Sequence, residues 1–122
     1  MEGLSQAEAF ARIRLLRSPN VGPVSYRQLL HRFGTAQAAL TALPDLLARS
    51  GRAYQPASES RVAGEVQAVR NAGARYLFHD SSDYPPLLAE LESAPPILTC
   101  RGDAGLAQRP CVAIVGARNA SA

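Results

Sequence analysis

The sequence predicts a chain that is helical over residues 1–72 and then begins an α/β domain over residues 73–122. Three observations carry this reading. Apolar residues recur at helical spacing through the first seventy positions, and the period becomes strand-like after Gly73. The closing run Val112-Ala-Ile-Val-Gly116 is β-branched and breaks at a glycine into a small polar loop, as many strand-to-helix junctions do.

The first helix is announced by Ser5-Gln-Ala-Glu8, a capping box in which each side chain can satisfy the other's backbone N–H. Ala9, Phe10, Ile13 and Leu16 then share a face as core residues, and Ser18-Pro19 stops the helix. A second helix over 24–33 carries Tyr26, Leu29, Leu30 and Phe33 in the full amphipathic pattern. Gly34 ends it with a positive φ, and Thr35 caps a third helix over 36–43. Pro44-Asp45 is expected to start a fourth short helix, with Leu46 and Leu47 facing inward. After a loop at 50–56, a longer helix over 58–72 aligns Val62, Val66 and Val69 and closes on Asn71-Ala-Gly73. Strands follow at 74–79, 96–101 and 111–115, with a turn at 80–83 and a short helix at 85–91. Strands joined by crossovers predict a parallel or mixed sheet.

Composition excludes several classes. The 122 residues are 47% hydrophobic and 19% charged, which fits a folded globular domain rather than a disordered chain. No apolar run approaches the ~18 residues of a membrane span, and Met1 to Phe10 lacks the pattern of a signal peptide, so a cytoplasmic protein is expected. Cys100 and Cys111 are expected to be buried thiols, and their spacing offers no zinc site. All 13 basic residues are arginine. Ten of them, against five acids, lie at or before Arg75; three, against five acids, lie after it. Such a basic helical half could meet nucleic acid or simply present a solvated face.

Two loops are candidates for chemistry. The turn Arg17-Ser-Pro-Asn-Val-Gly-Pro-Val-Ser25 can present backbone N–H groups to a phosphate as a helix-hairpin-helix motif does, with Asn20 in place of a first glycine. Asn20, Gly22, Arg27 and Arg32 are therefore possible secondary DNA contacts, against the plainer reading of an interhelical turn. The loop after the last strand has one glycine and so is not a dinucleotide fingerprint; no cofactor is indicated. There Gly116 allows a sharp turn, Arg118 supplies a planar charged fork for phosphate oxygens, and Ser121 can cap a helix or bond a phosphate. Arg118 can equally be an exposed loop charge and Ser121 a plain N-cap. His31, His79, Asp80 and Asp83 read as structural or surface residues, and Tyr84-Pro-Pro as a rigid lead into a helix. No nucleophile or metal-ligand set is nominated, so a non-enzymatic protein is expected.

Read together, Asp83-Tyr-Pro-Pro-Leu-Leu88, Ala94-Pro-Pro-Ile-Leu98 with Arg101-Gly-Asp103, and Val112-Ala-Ile-Val-Gly-Ala-Arg118 with Ser121 form a combined signature. It resembles the N-terminal part of the DNA-processing DprA (Smf) family. The resemblance implies a small SAM-like helical domain over 1–72 and, over 73–122, the truncated start of an extended Rossmann-like domain. It implies a recombination mediator of bacterial natural transformation that binds single-stranded DNA, dimerises and loads the recombinase RecA. By motif position, Gly116, Arg118 and Ser121 look like part of that family's DNA pocket. The alternatives are an enzyme or small-ligand binder using the same loop for a nucleotide phosphate, or a helical part that serves only assembly.

Overall fold

The computed structural model describes residues 4–48 and 53–118. In it α1 (Gln6–Arg17), α2 (Pro23–Phe33), α3 (Ala36–Leu47) and α4 (Glu59–Asn71) precede a pair of strands, β1 (Arg75–Phe78) and β2 (Ile97–Cys100). One short helix, α5 (Pro86–Ala89), lies between the strands, and a 3₁₀ turn (Ala104–Gln108) follows them. The expected order, helices and then the beginning of an α/β part, is observed.

Helix α1 is the centre of the molecule. Its Ala11 and Leu15 enter one core with Tyr26, Ala39 and Leu43 of α2 and α3. Its Ile13 enters a second with Ala57 and Val62, against which Phe10, Val66, Tyr76 and Phe78 pack. A helix packed on two sides buries more than one stripe. That is why Ala11 and Leu15 are buried, while Ala9, Phe10 and Leu16, expected in the core with Ile13, are only half-buried.

The caps follow the sequence with one reassignment. Ser5 accepts the Glu8 N–H at 3.0 Å, but the reciprocal half of the capping box is not made. The Glu8 carboxylate instead accepts the N–H groups of Ala36 at 2.6 Å and Gln37 at 3.3 Å. Thr35 takes the next, from Ala38, at 3.1 Å. The first free donors of α3 are thus satisfied across the bundle, and a carboxylate sits where the helix dipole favours negative charge. Gly34 leaves α2 at φ 84°, a conformation that favours glycine.

Two expectations about the backbone are corrected. Pro44 does not begin a new helix; it lies inside α3, so residues 4–48 hold three helices rather than four. Leu40, Leu43 and the half-buried Leu47 continue one apolar stripe past the proline, and Ala48 N–H closes the last turn on the Pro44 carbonyl. Packing outweighs the one hydrogen bond that proline cannot donate. The strands are antiparallel, Arg75 opposite Cys100 and Phe78 opposite Ile97, not parallel or mixed. The link between them contains only the four-residue α5, too short for a helical crossover along the sheet. The third expected strand, 111–115, pairs with nothing among the described residues. Val112, Ile114 and Val115 are 89%, 93% and 93% exposed, and Cys111, expected to be buried, is exposed with them.

Arginine side chains join the helices to the sheet. Arg12, with a side chain only 13% exposed, donates to Asp80 at 2.8 Å and lies 5.9 Å from the centre of the Phe78 ring. Arg17 grips Glu65 through two nitrogens at 2.8 and 3.2 Å, and the same carboxylate accepts the Tyr76 hydroxyl at 2.8 Å. The hydrogen bond from Arg17, and that from Tyr76, outweigh partial burial and hold the Glu65 carboxyl below its ordinary value. For Asp80, burial pushes upward, but the Arg12 hydrogen bond and charge prevail and its pKa also falls.

Replacing Leu43, buried in the α1–α3 core, by alanine is expected to cost about 3 kcal/mol in urea unfolding; a loss under about 1 kcal/mol would place Leu43 outside the core. The lowered Glu65 and Asp80 pKa values mean that the unfolded chain binds more protons in mild acid. Their contribution is whole above the ordinary carboxylate pKa of about 4 and is lost as the pH falls through the folded values. Glu65→Gln should therefore lower stability at neutral pH and flatten its decline between about pH 5 and 3. Wild-type and variant curves that stay parallel through that range would contradict the Arg17–Glu65–Tyr76 linkage.

Candidate nucleic-acid interface

The turn between α1 and α2 has the backbone the sequence asked for. Asn20 stands at φ 65°, in the left-handed region that asparagine tolerates better than most residues. Gly22 is the N-cap of α2 in extended conformation, and Pro23 follows at the first helical position. The donors of this turn are partly used within the protein. Val21 N–H reaches the Ser18 carbonyl at 3.3 Å, and Gly22 N–H donates to the Ser25 hydroxyl at 2.8 Å. The buried Ser18 hydroxyl accepts Ala57 N–H at 3.0 Å, and the Tyr54 hydroxyl donates to the Pro19 carbonyl, so the turn is held by the segment before α4.

The arginines near the turn differ in what they touch. Arg27 donates one terminal nitrogen to the Glu92 carbonyl at 2.6 Å and the other to the Ala94 carbonyl at 2.9 Å. That fork ties α2 to the approach to β2. Arg32 is exposed, 5.1 Å from the Phe33 ring centre. Of the eight described arginines up to Arg75, five (Arg12, Arg14, Arg17, Arg27 and Arg75) donate to protein oxygens. The excess basic charge of the helical half is therefore largely internal bonding.

On the α/β side, Arg118 and Gly116 are exposed on the extended run that follows the 3₁₀ turn, and Ser121 lies outside the described residues. Gly116 does not have a positive φ, and a side chain there would meet nothing within 4 Å, so neither backbone nor space requires glycine at this position. Asp83, expected as a turn residue, accepts the Ser81 hydroxyl at 2.7 Å and pairs with Arg75 at 2.7 Å, and these two bonds lower its pKa. Pro85 and Pro86 lead into α5, and Tyr84 is buried with its hydroxyl on the Pro95 carbonyl at 2.6 Å. His79 packs edge-on to Tyr84, and burial, then the charge of Arg27, lowers its pKa; His31 is exposed on α2.

Sequence reasoning missed an open groove of about 970 Å³ between α1, α3, α4 and the sheet. Phe10, Tyr76 and Phe78 line it, with Arg14 and Arg70 among its polar groups. Tyr76 and Phe78, two apart on a strand, point to a shared face, but nothing in the sequence says that Phe10 meets them across more than sixty residues.

Two family models cover nearly the whole chain. Residues 6–68 match the DprA-like N-terminal HHH domain, and residues 75–122 match the DNA recombination-mediator protein A family. No curated protein matches the chain. Among the described residues, no helix is long and apolar enough to cross a membrane. The helical part, the Tyr-Pro-Pro and Ala-Pro-Pro turns and the final Val-Ala-Ile-Val-Gly run thus fall, in order, under these two models, and the chain belongs to the DprA family of DNA recombination mediators.

Proposed function

We propose that this protein grips the sugar–phosphate backbone of single-stranded DNA electrostatically, without reading bases at that site, and presents the strand to the recombinase RecA during natural transformation. In this reading Gly116, Arg118 and Ser121 belong to the phosphate-binding loop, the protein acts as a homodimer, and no chemistry is performed on the DNA. The observation that carries it is the position of Arg118: an exposed guanidinium two residues beyond Gly116 at the end of the apolar run, inside the segment that matches the recombination-mediator family. A planar, permanently charged fork suits phosphate oxygens. The arginines of the helical half support the assignment by contrast, since most of those among the described residues already donate to protein oxygens.

Backbone binding of this kind releases counterions, and for single strands log K falls with log salt by about 0.7 for each phosphate neutralised. Fluorescence anisotropy of a labelled oligonucleotide across a salt series is expected to show that slope. Arg118→Ala should weaken binding several-fold and flatten the slope by about 0.7, while Arg32→Ala should leave it within error. Binding that ignores salt, or that survives Arg118→Ala unchanged while falling with Arg32→Ala, would move the site to the helical half.

A further inference from the structure

The groove between α1, α3, α4 and the sheet combines aromatic rings with arginines. Phe10, Tyr76 and Phe78 line it and are each only half-buried. The Tyr76 and Phe78 ring centres are 6.5 Å apart and tilted by 39°, so neither ring covers the other's face, although the Arg12 guanidinium lies over one face of Phe78. Two guanidinium groups line the same groove. Arg14 is anchored through Nε to the Ala57 carbonyl at 2.6 Å, and Arg70 is exposed on the last turn of α4 with no acidic partner among the described residues. One carboxylate, Glu59 at the other end of α4, also lines the groove, leaving the cations in excess.

The groove therefore offers flat apolar faces beside fixed positive charge. A ligand that matches must carry flat apolar groups and negative charges on one flexible chain. Single-stranded nucleic acid does so, with bases that stack on aromatic side chains and phosphates that meet arginine. A duplex hides its bases inside the stack, and an apolar peptide ridge has nothing to offer two guanidiniums. The volume, near the upper end of the ~300–1,000 Å³ of ligand sites, leaves room for more than one base.

We propose that this groove is a second single-strand site, in which bases stack against Phe10, Tyr76 and Phe78 while Arg14 and Arg70 hold the flanking phosphates. The inference rests on the reading that the ligand is single-stranded DNA. It adds a base-stacking site built from residues 6–78, none of which belongs to the loop at 116–121.

The chain has no tryptophan, so Phe10→Trp places a single indole in the groove. The 122-residue Phe10→Trp chain is titrated with a labelled oligothymidylate and with an abasic strand of the same length, following indole emission and label anisotropy together. Oligothymidylate is expected to quench the indole with the same midpoint as the anisotropy. The abasic strand should bind about tenfold more weakly, the equivalent of one stacked base, and leave the indole unquenched. Arg70→Glu, an exposed change, should weaken oligothymidylate binding several-fold in the otherwise unaltered chain, which keeps the test available if the tryptophan variant does not fold. Anisotropy that rises while the indole stays silent, or binding indifferent to Arg70→Glu, overturns the groove and leaves single-strand binding standing. Absence of any anisotropy change overturns both readings. An emission change that follows protein concentration alone assigns the groove to a second copy of the chain and overturns the proposal.

Discussion

The fold depends on guanidinium groups of the helices reaching oxygen atoms of the α/β part. Arg27 is the clearest case: one planar fork on α2 spans the carbonyls of Glu92 and Ala94, the turn that delivers the chain to β2. Neighbouring carbonyls at the end of a turn have no strand partner of their own, and a charged donor bonds them more strongly than a neutral one. Arg12 does the same for the turn after β1 through Asp80, while Arg17 acts on β1 only indirectly, holding the Glu65 carboxylate of α4 that accepts the Tyr76 hydroxyl. Two strands of four residues could not stand alone. Placed against α1 and α4, they pack Tyr76, Phe78 and Ile97 onto the core around Ile13 and Val62, while Leu77 is buried on their other side with Tyr84 and Ala104.

That use of arginine shapes the function. A guanidinium whose terminal nitrogens already bond protein oxygens, as in Arg12, Arg17 and Arg27, is a weak phosphate ligand, so the helical half, the more basic by composition, has fewer free charges than its sequence displays. Among the described residues, the exposed arginines whose side chains bond no protein oxygen are Arg32, Arg61, Arg70, Arg101, Arg109 and Arg118; of these Arg118 lies on the loop after the last apolar run and Arg70 beside the aromatic groove. In the proposed reading, backbone capture and base stacking fall to different parts of the molecule, as holding a strand without reading its sequence would require.

Much of this was legible in the sequence, and what was not had a common cause. The helices, their serine, threonine and glycine caps, the left-handed Asn20 and the Tyr-Pro-Pro lead into α5 are local features, set within a few residues of where they are written. Glu8 shows the limit. Its spacing from Ser5 announces a capping box, yet its carboxylate is taken by α3, nearly thirty residues away. Arg27 reads as a basic residue near a turn, and only the fold brings it to Ala94. The antiparallel pairing of the strands and the convergence of Phe10 with Tyr76 and Phe78 are likewise decided by distant partners. The family of the chain was readable because its motifs are short and ordered; the fate of its arginines was not.

The central claim is that helices and sheet are one cooperative body tied by these arginines. Native-state hydrogen exchange tests it most directly, by comparing the opening free energies of amides in α2 and in β2. The account expects the two sets to open together in the wild-type chain, and Arg27→Met to lower protection in β2 more than in α2. If the β2 amides already exchange independently of α2 in the wild-type chain, the arginine ties do not hold the body together, and the arginines of the helical half return as candidates for the DNA.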